Sequence, residues 1–152
     1  MGGARRYLLD TNVVSETRKA SMSEDVRAFL TAVDSSDLYI SVLTIGELRK
    51  GVEAKRRSDP DSAALLGAWV DGLERSFADR IVPIDIVVAS LWGELSSDRS
   101  RPVIDTLIAA TALVHEMTLA TRNAKDLAGI DVPIVDPWAV TGRTTERRGR
   151  RR

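Results

Sequence analysis

Short apolar segments alternate along this chain with longer segments in which apolar residues recur at helical spacing. The apolar segments are 7–9, 38–41, 81–84, 118–121 and 133–135. Each is strand-length and is bounded by turn-forming residues or by the start of a helical pattern. Parallel strands need long crossover connections, usually helices. The alternation therefore predicts the α/β class, with a mainly parallel central sheet covered by helices on both faces.

The connecting segments carry helix signals. We predict helices at about 24–33, 45–57, from Pro60 onward, 87–96 and 104–116. Ser23 is a suitable N-cap for the first of them, and Pro60 suits the first turn of its own helix. Residues 10–12 are interpreted as a turn after the first strand. In the last helix, the alanines at 109, 110 and 112 allow close approach to a sheet.

The length and charge distribution indicate one folded domain followed by a basic tail. The chain has 152 residues, of which 43% are hydrophobic, which suits one core. From Arg143 onward there are six arginines and one glutamate, so the remainder carries 16 basic and 21 acidic residues, a net charge of −5. We expect a domain at 1–140 and a disordered tail at 141–152, because that tail has nothing to bury.

Several function classes are excluded by composition. The chain has no cysteine and a single histidine, His115. Disulfide scaffolds, thiolate metal sites and two-histidine nuclease mechanisms are therefore ruled out. No stretch approaches the ~20 apolar residues of a membrane span, and the first residues do not form a signal peptide. We infer a soluble, cytoplasmic protein.

Acidic residues recur where ligands bind in parallel sheets, outside the carboxyl ends of the strands. Asp10 closes the first strand, Glu47 falls in the first helical turn after the second, and Asp126 follows the fourth. Asp105 departs from this pattern, because it begins a helix that follows another helix. Only packing can bring it to the same edge.

Each acid also has a purely structural interpretation. Asp10 suits an Asx-turn or a helix cap, and residues 44–47 match a capping box in which Glu47 reaches back to a backbone N–H. Asp105 suits an N-cap, and Asn123 with Asp126 suits a cap followed by a first-turn acid. Caps explain each position singly, but they do not predict that the acids share one end of a sheet.

Convergence of these carboxylates would create a metal site. Several carboxylates close together repel one another unless a cation compensates. Hard oxygen ligands select Mg²⁺ or Mn²⁺. Such a site suits phosphodiester hydrolysis, because the metal acidifies bound water and offsets charge on the leaving oxygen.

At these positions the sequence resembles the PIN-domain family, and specifically its VapC-like toxins. Order and spacing agree from about residue 7 to residue 138. The matching segments are LLDTNV at 8–13, TIGEL at 44–48 with Gly51, PVID at 102–105, LIAATA at 107–112, TRN at 121–123 with Asp126, and IVDPW at 134–138.

The resemblance implies an α/β/α sandwich and a Mg²⁺- or Mn²⁺-dependent endoribonuclease acting on structured RNA such as tRNA or rRNA. It implies Asp10 and Asp105 as metal ligands, with Glu47 completing the core directly or through water. The fourth acid is Asp126 or is replaced by Asn123, which stands where the family has aspartate or asparagine. Two threonines are expected to orient ligands or bound water: Thr11 and Thr121.

The resemblance also implies partners, namely a VapB-like antitoxin that holds the toxin inactive and a second copy in a homodimer. The helices between 45 and 77 offer a docking surface, because one face of the second is apolar. Its members are Leu65, Leu66, Trp69, Val70 and Leu73. Ordinary core packing explains the same face.

Two other classes compete with the toxin hypothesis. A PIN-fold protein-interaction module without catalysis would keep the fold and lose the site, but acids stand at Asp10, Glu47 and Asp105. A phosphatase forming an aspartyl-phosphate usually has a second aspartate where Asn12 stands. A nucleotide-triphosphatase would need a Gly-x-x-x-x-Gly-Lys-Ser/Thr loop, and the sequence has none.

Overall fold

The computed structural model describes residues 5–139, so the predicted basic tail at 141–152 lies outside the described residues. Its strands are β1 (Tyr7–Leu9), β2 (Leu38–Ser41), β3 (Ile81–Val82), β4 (Thr118–Ala120) and β5 (Ile134–Val135). Its α-helices are α1 (Thr11–Glu16), α2 (Glu24–Ala32), α3 (Val42–Arg56), α4 (Pro60–Ser76), α5 (Ile86–Leu95) and α6 (Val103–Val114). None of these helices is long and apolar enough to cross a membrane.

The strands form one parallel sheet in the order β3-β2-β1-β4-β5. β1 lies at the centre and pairs in parallel with β2 on one side and β4 on the other. Every pairing in the sheet is parallel, which confirms the predicted α/β class. The carboxyl ends of β1, β2 and β4 therefore meet at a single edge.

Alternating side chains of the strands supply two separate cores, one on each face of the sheet. Leu8 and Leu119 pack with Ile108 on the face covered by α6. Leu9 and Ile40 pack on the opposite face, among residues of α1 to α4. Two cores around one sheet make the three-layer α/β/α sandwich.

Two helix starts differ from the sequence-based expectation. Residues 11–16 form α1 rather than a turn, and the Asp10 side chain caps it, so the helix-cap interpretation of Asp10 holds and the Asx-turn interpretation does not. α3 starts at Val42, three residues earlier than expected, because the Ser41 hydroxyl accepts a hydrogen bond from the Leu43 amide. The capping-box interpretation of residues 44–47 is therefore wrong, and Glu47 is not in the first turn.

Asp105 does not cap its helix. α6 begins at Val103, with Pro102 in the cap position and no side-chain cap hydrogen bond. Asp105 lies in the first turn, where the helix dipole favours a negative charge. Its side chain is thus free of a capping role.

Small residues let α6 lie close against the sheet. Ala109, Ala110 and Ala112 are all fully buried. A larger side chain at these positions has no space without displacing the helix, and with it Asp105.

We expect Ala109→Leu to lower the free energy of unfolding by about 1–3 kcal/mol through overpacking. In a domain of this size that corresponds to a fall of roughly 2–12 °C in Tm, measured by thermal melting. Ala64→Leu, on the exposed side of α4, is the matched control and should stay within about 0.5 kcal/mol. Equal effects at both positions would contradict the close packing of α6.

Candidate metal centre

Asp10 is the buried centre of the acidic edge. It directly follows the central strand, and its amide donates to the Ala120 carbonyl oxygen at 2.9 Å, continuing the β1–β4 ladder. Only 4% of the residue is exposed. The Thr11 amide donates to Oδ1 at 2.7 Å, so the carboxylate also caps α1.

The Thr121 hydroxyl ties Asp10 to the end of β4. It donates to Asp10 Oδ2 at 2.7 Å and accepts from the Asn123 amide at 3.0 Å. The Thr121 amide donates to the Val135 carbonyl oxygen at 3.0 Å, which links this point to β5. Thr121 is fully buried, so this hydroxyl has a fixed environment and fixes the carboxylate in turn.

Glu47 is brought to the same edge by a pair of threonines. The Thr11 hydroxyl donates to Glu47 Oε1 at 2.7 Å and lies 2.9 Å from the hydroxyl of Thr44. Since Thr11 gives its proton to Glu47, Thr44 is the donor in the second bond. Glu47 is otherwise exposed, so its position one helical turn after Thr44 leaves its carboxylate open to solvent.

The pKa of Asp105 is raised by its surroundings. Burial raises its pKa first, and the negative charges of Asp10, Glu47 and Asp126 raise it further, to about 6. The pKa of Asp10 is also raised, by burial above all, although the hydrogen bonds from Thr121 and the Thr11 amide oppose the shift. The carboxylates thus share one edge and repel one another there.

Asn123 and Asp126 contribute differently. Asn123 reaches the network through its backbone amide, and its exposed side chain makes no cap hydrogen bond. Asp126 is exposed on the short 3-10 helix 124–127, from which its charge acts on Asp105. Of the two candidates for the fourth position, Asp126 is the one that affects the electrostatics.

Carboxylates are hard oxygen donors. Burial is the main cause of the raised pKa of Asp105, and the neighbouring negative charges that add to it are charges that a divalent cation would offset. This chemistry fits Mg²⁺ or Mn²⁺. However, among residues 5–139 no three acidic, histidine or cysteine side chains are grouped closely enough to hold one ion between them. Joint ligation by Asp10, Glu47 and Asp105 therefore stays a prediction.

Sequence reasoning missed two residues of the network. The Asn12 amide group donates to Asp10 Oδ2 and to the Thr121 hydroxyl, each at 3.4 Å, and its carbonyl oxygen accepts from the Arg122 amide at 3.4 Å. Thr44 is fully buried beneath Thr11. The position of Asn12 close to Asp10 in the sequence could have indicated its role. Thr44 was missed because residues 44–47 were interpreted as a capping box.

A groove of about 450 Å³ opens beside this edge, between α1 and the α3–α4 pair. Glu47 lines it, together with Gly51 and Trp69. The apolar face predicted on α4 is divided: Val70 is fully buried in the core, while Leu65 is 69% exposed. Core packing thus accounts for part of that face, and part of it borders the groove.

Fold and site together define an α/β/α protein with acidic residues at the carboxyl edge of its parallel strands. The model of the PIN domain family matches residues 7–132. This chain belongs to the PIN domain family, as its sequence motifs indicated.

Similar proteins cover nearly the same length. The "Toxin FitB" of Neisseria gonorrhoeae is 35% identical over 136 residues, which span 86% of this chain and 97% of that protein. The "VapC ribonuclease Y4jK" of Sinorhizobium fredii is 34% identical, over 86% of this chain and 96% of its own. The crystal structure of FitAcB from Neisseria gonorrhoeae matches with a TM-score of 0.81 and 33% identity, covering 88% of this chain and 99% of that chain.

We expect Asp105→Asn to stabilise the protein at neutral pH in metal-free buffer. Because the pKa of Asp105 is raised from 3.8 to about 6, the folded state binds this proton more tightly than the unfolded state. Stability from this group is therefore full below about pH 4 and is lost as the pH rises through about 6. The Tm difference between variant and native chain should grow across that interval and be constant above it.

The control for this measurement is Asp61→Asn, which removes one exposed charge from the first turn of α4. It tests whether loss of any carboxylate produces the same profile. A Tm difference for Asp105→Asn that does not change between pH 4 and pH 7 would contradict the charge coupling at this edge.

Proposed function

We propose that this chain is the toxin of a VapBC-like toxin–antitoxin pair and a Mg²⁺- or Mn²⁺-dependent endoribonuclease that cleaves structured RNA such as tRNA or rRNA. The observation that carries the proposal is the buried Asp10 carboxylate at the end of the central strand, which the Thr121 hydroxyl and the Thr11 amide hold in place, with Glu47 bound to the Thr11 hydroxyl beside it. A group of mutually repelling carboxylates lowers stability unless a cation compensates their charge. A divalent cation bound there would also support phosphodiester chemistry.

Names of similar proteins support this activity. Relatives at 30% identity or more across most of the chain include a toxin and proteins named VapC ribonucleases. Structures with similar folds include toxin–antitoxin complexes, among them FitAB bound to a DNA fragment. Metal dependence and the class of RNA go beyond these names and are our proposal.

In this proposal Asp10 and Asp105 hold the cation, and Glu47 contacts it directly or through water. The cation, when bound, would acidify a water molecule and offset charge on the scissile phosphate. The chain's own part is to hold these carboxylates in place. Thr121 fixes one oxygen of Asp10, and Thr11 fixes the carboxylate of Glu47.

Asp126 completes the set from the outer side. It is exposed, and its negative charge reaches Asp105, so it is suited to a second or outer contact with the cation or its water. Asn123 is proposed to act through its backbone amide, which supports the hydroxyl of Thr121.

Asp10→Asn and Asp105→Asn should each slow RNA cleavage in Mn²⁺ by on the order of 10²–10³-fold, because each removes a charge that the bound cation requires. Thr121→Val should cost less, roughly 10–100-fold, since it only releases Asp10. Cleavage is measured by RNA end mapping with a tRNA pool and an rRNA stem–loop. Circular dichroism should be unchanged for all three variants.

Two outcomes would redirect the proposal. Undiminished cleavage by Asp10→Asn, with Asp61→Asn as the reference variant, would remove the acidic edge from catalysis. No cleavage of either RNA by the native chain, with partner binding retained, would favour the non-catalytic interaction module. Faster turnover of a small phosphate ester than of RNA would favour a phosphatase instead.

The groove between α1 and the α3–α4 pair is the proposed binding site of the antitoxin. Apolar Leu48, Leu66 and Trp69 line it, and so does Glu47. A peptide occupying the groove would cover apolar surface and come into contact with a residue of the acidic edge. Inhibition then follows from occupancy of the groove itself.

Gly51→Phe should block this groove without harming the fold. A Cβ at Gly51 meets no atom within 4 Å, and the residue lines the groove. Affinity for the antitoxin should fall at least tenfold, about 1.4 kcal/mol, in a binding titration. The antitoxin for this titration is first identified as a small protein whose co-expression with this chain restores growth.

Gly93→Phe is the matched control for that substitution. A Cβ at Gly93 likewise meets no atom within 4 Å, but this glycine belongs to α5, away from the groove. Its variant should bind like the native chain. Equal affinity of both variants for the antitoxin would mean that the antitoxin binds at another site. Sedimentation of the same samples tests the proposed homodimer.

A further inference from the structure

We propose that Arg18 and Lys50 bind phosphates of the RNA substrate in the two grooves that meet at Glu47. This inference rests on the proposed ribonuclease function and identifies the surface that holds the RNA strand beside the acidic edge. It follows from the positions of the two cations, from their lack of an ion-pair partner among the described residues, and from the charge of the surrounding domain.

Two grooves border each other at Glu47. The first is the groove of about 450 Å³ beside α1, which Leu48 and Gly51 also line, and the second, of about 330 Å³, is lined by Gly46 and Lys50. At 3.6 residues per turn, Leu48 and Gly51 lie on one side of α3, and Gly46 and Lys50 lie on the next side, with Glu47 between them. A strand that passes from one groove into the other therefore crosses Glu47.

Each groove carries an exposed cation whose backbone is held in place. Arg18 follows α1 and lines the first groove, and its amide donates to the Ser15 carbonyl oxygen at 3.2 Å. Lys50 lies on α3 three residues after Glu47 and lines the second groove. Both side chains are exposed. Local backbone structure thus fixes where the two charges stand, and their ends are open to a ligand.

Three other cations of this region are already engaged within the described part of the chain. Lys19 forms an ion pair with an acid of α1 at 2.9 Å, and Arg49 pairs with two acids of α4 at 2.6 and 2.9 Å. The Arg122 guanidinium lies over a tryptophan ring, 4.8 Å from its centre. Among residues 5–139, by contrast, Arg18 and Lys50 form no ion pair. Their charges are therefore available to an anionic ligand.

The domain around these two cations is acidic, so a bound RNA strand depends on local positive charge. Residues before Arg143 carry a net charge of −5, and phosphate binding needs cations at the contact itself. The Arg18 guanidinium can bind two phosphate oxygens through parallel hydrogen bonds, whereas the Lys50 ammonium acts as a point charge. With one cation in each groove, phosphates of one strand are held on both sides of Glu47. A nucleic-acid backbone fits this arrangement better than an isolated phosphate.

The experiment compares the native chain with the double variant Arg18→Gln, Lys50→Gln. Affinity for a fluorescent stem–loop RNA is measured by anisotropy in EDTA, so that metal-dependent cleavage is suppressed, between about 50 and 200 mM KCl. Affinity should fall about tenfold at about 100 mM KCl, and the slope of log K against log [KCl] should become less negative by about 1.4–1.8, as expected for two phosphate contacts. Each single variant should give about half of that change in slope.

The matched control is the double variant Lys55→Gln, Arg57→Gln, which also removes one lysine and one arginine charge from exposed positions. Both residues lie at the end of α3 opposite to the one that starts at the acidic edge. This variant should match the native chain in affinity and slope, and the charge-preserving variant Arg18→Lys, Lys50→Arg should retain most of the native slope. Equal losses from the two glutamine variants would overturn the proposal, because net charge alone would then explain RNA binding.

Cleavage kinetics separate this inference from the proposed nuclease function. In Mn²⁺ the double variant at Arg18 and Lys50 should raise KM for the RNA about tenfold and leave kcat nearly unchanged, because contacts with phosphates that do not react bind substrate and transition state alike. A loss of affinity in EDTA, with no cleavage by the native chain in Mn²⁺, would refute the nuclease function alone. Cleavage by the native chain, with affinity and slope unchanged in the double variant, would refute this inference alone.

A binding titration with the antitoxin tests the main competing ligand, an acidic segment of a partner protein. The double variant at Arg18 and Lys50 should lose RNA affinity whether or not it also loses antitoxin affinity. Loss of antitoxin affinity with RNA affinity unchanged would assign the two cations to the partner protein and overturn the RNA contact.

Discussion

The burial of the Asp10 carboxylate at the end of the central strand is the constraint on which the rest of the site depends. A buried charge costs several kcal/mol unless hydrogen bonds compensate it. Here the Thr121 hydroxyl and the Thr11 amide each donate at 2.7 Å, yet the pKa of Asp10 is still raised. The compensation is therefore partial. It also requires β4 and α1 to stand in fixed positions beside β1.

The hydrogen bonds that partly offset the cost of burying the Asp10 carboxylate also hold that carboxylate in one position. Thr121 is fully buried, so the core holds its hydroxyl and, through it, the Asp10 carboxylate. Thr11 is hydrogen-bonded to buried Thr44, whereas the Glu47 side chain that it contacts stays exposed. Functional sites commonly keep such unfavourable charge where the surrounding packing is strong enough to hold it. At this edge, two cores and a parallel sheet provide that packing.

Residue patterns predicted the sheet well because strand and helix periodicities differ clearly. Ser23 and Pro60 also marked their helix starts correctly. The patterns failed where two local structures share one signature. Asp10 followed by polar residues suits an Asx-turn as well as the cap of α1, and only the buried face of α1 decides between them. The placement of Asp105 rests on the packing of α6, which no spacing in the sequence encodes.

The Glu47 side chain lines two grooves on the surface. It lines the groove beside α1 and also a second groove of about 330 Å³, which includes Lys50 and Ile104. Ile104 directly precedes Asp105, and Thr11, which precedes Asn12, donates to Glu47. Anything that fills either groove therefore touches a member of the acidic edge. Coupling between a bound partner and the site then needs only the rotation of one exposed side chain, without a change in the sheet or its helices.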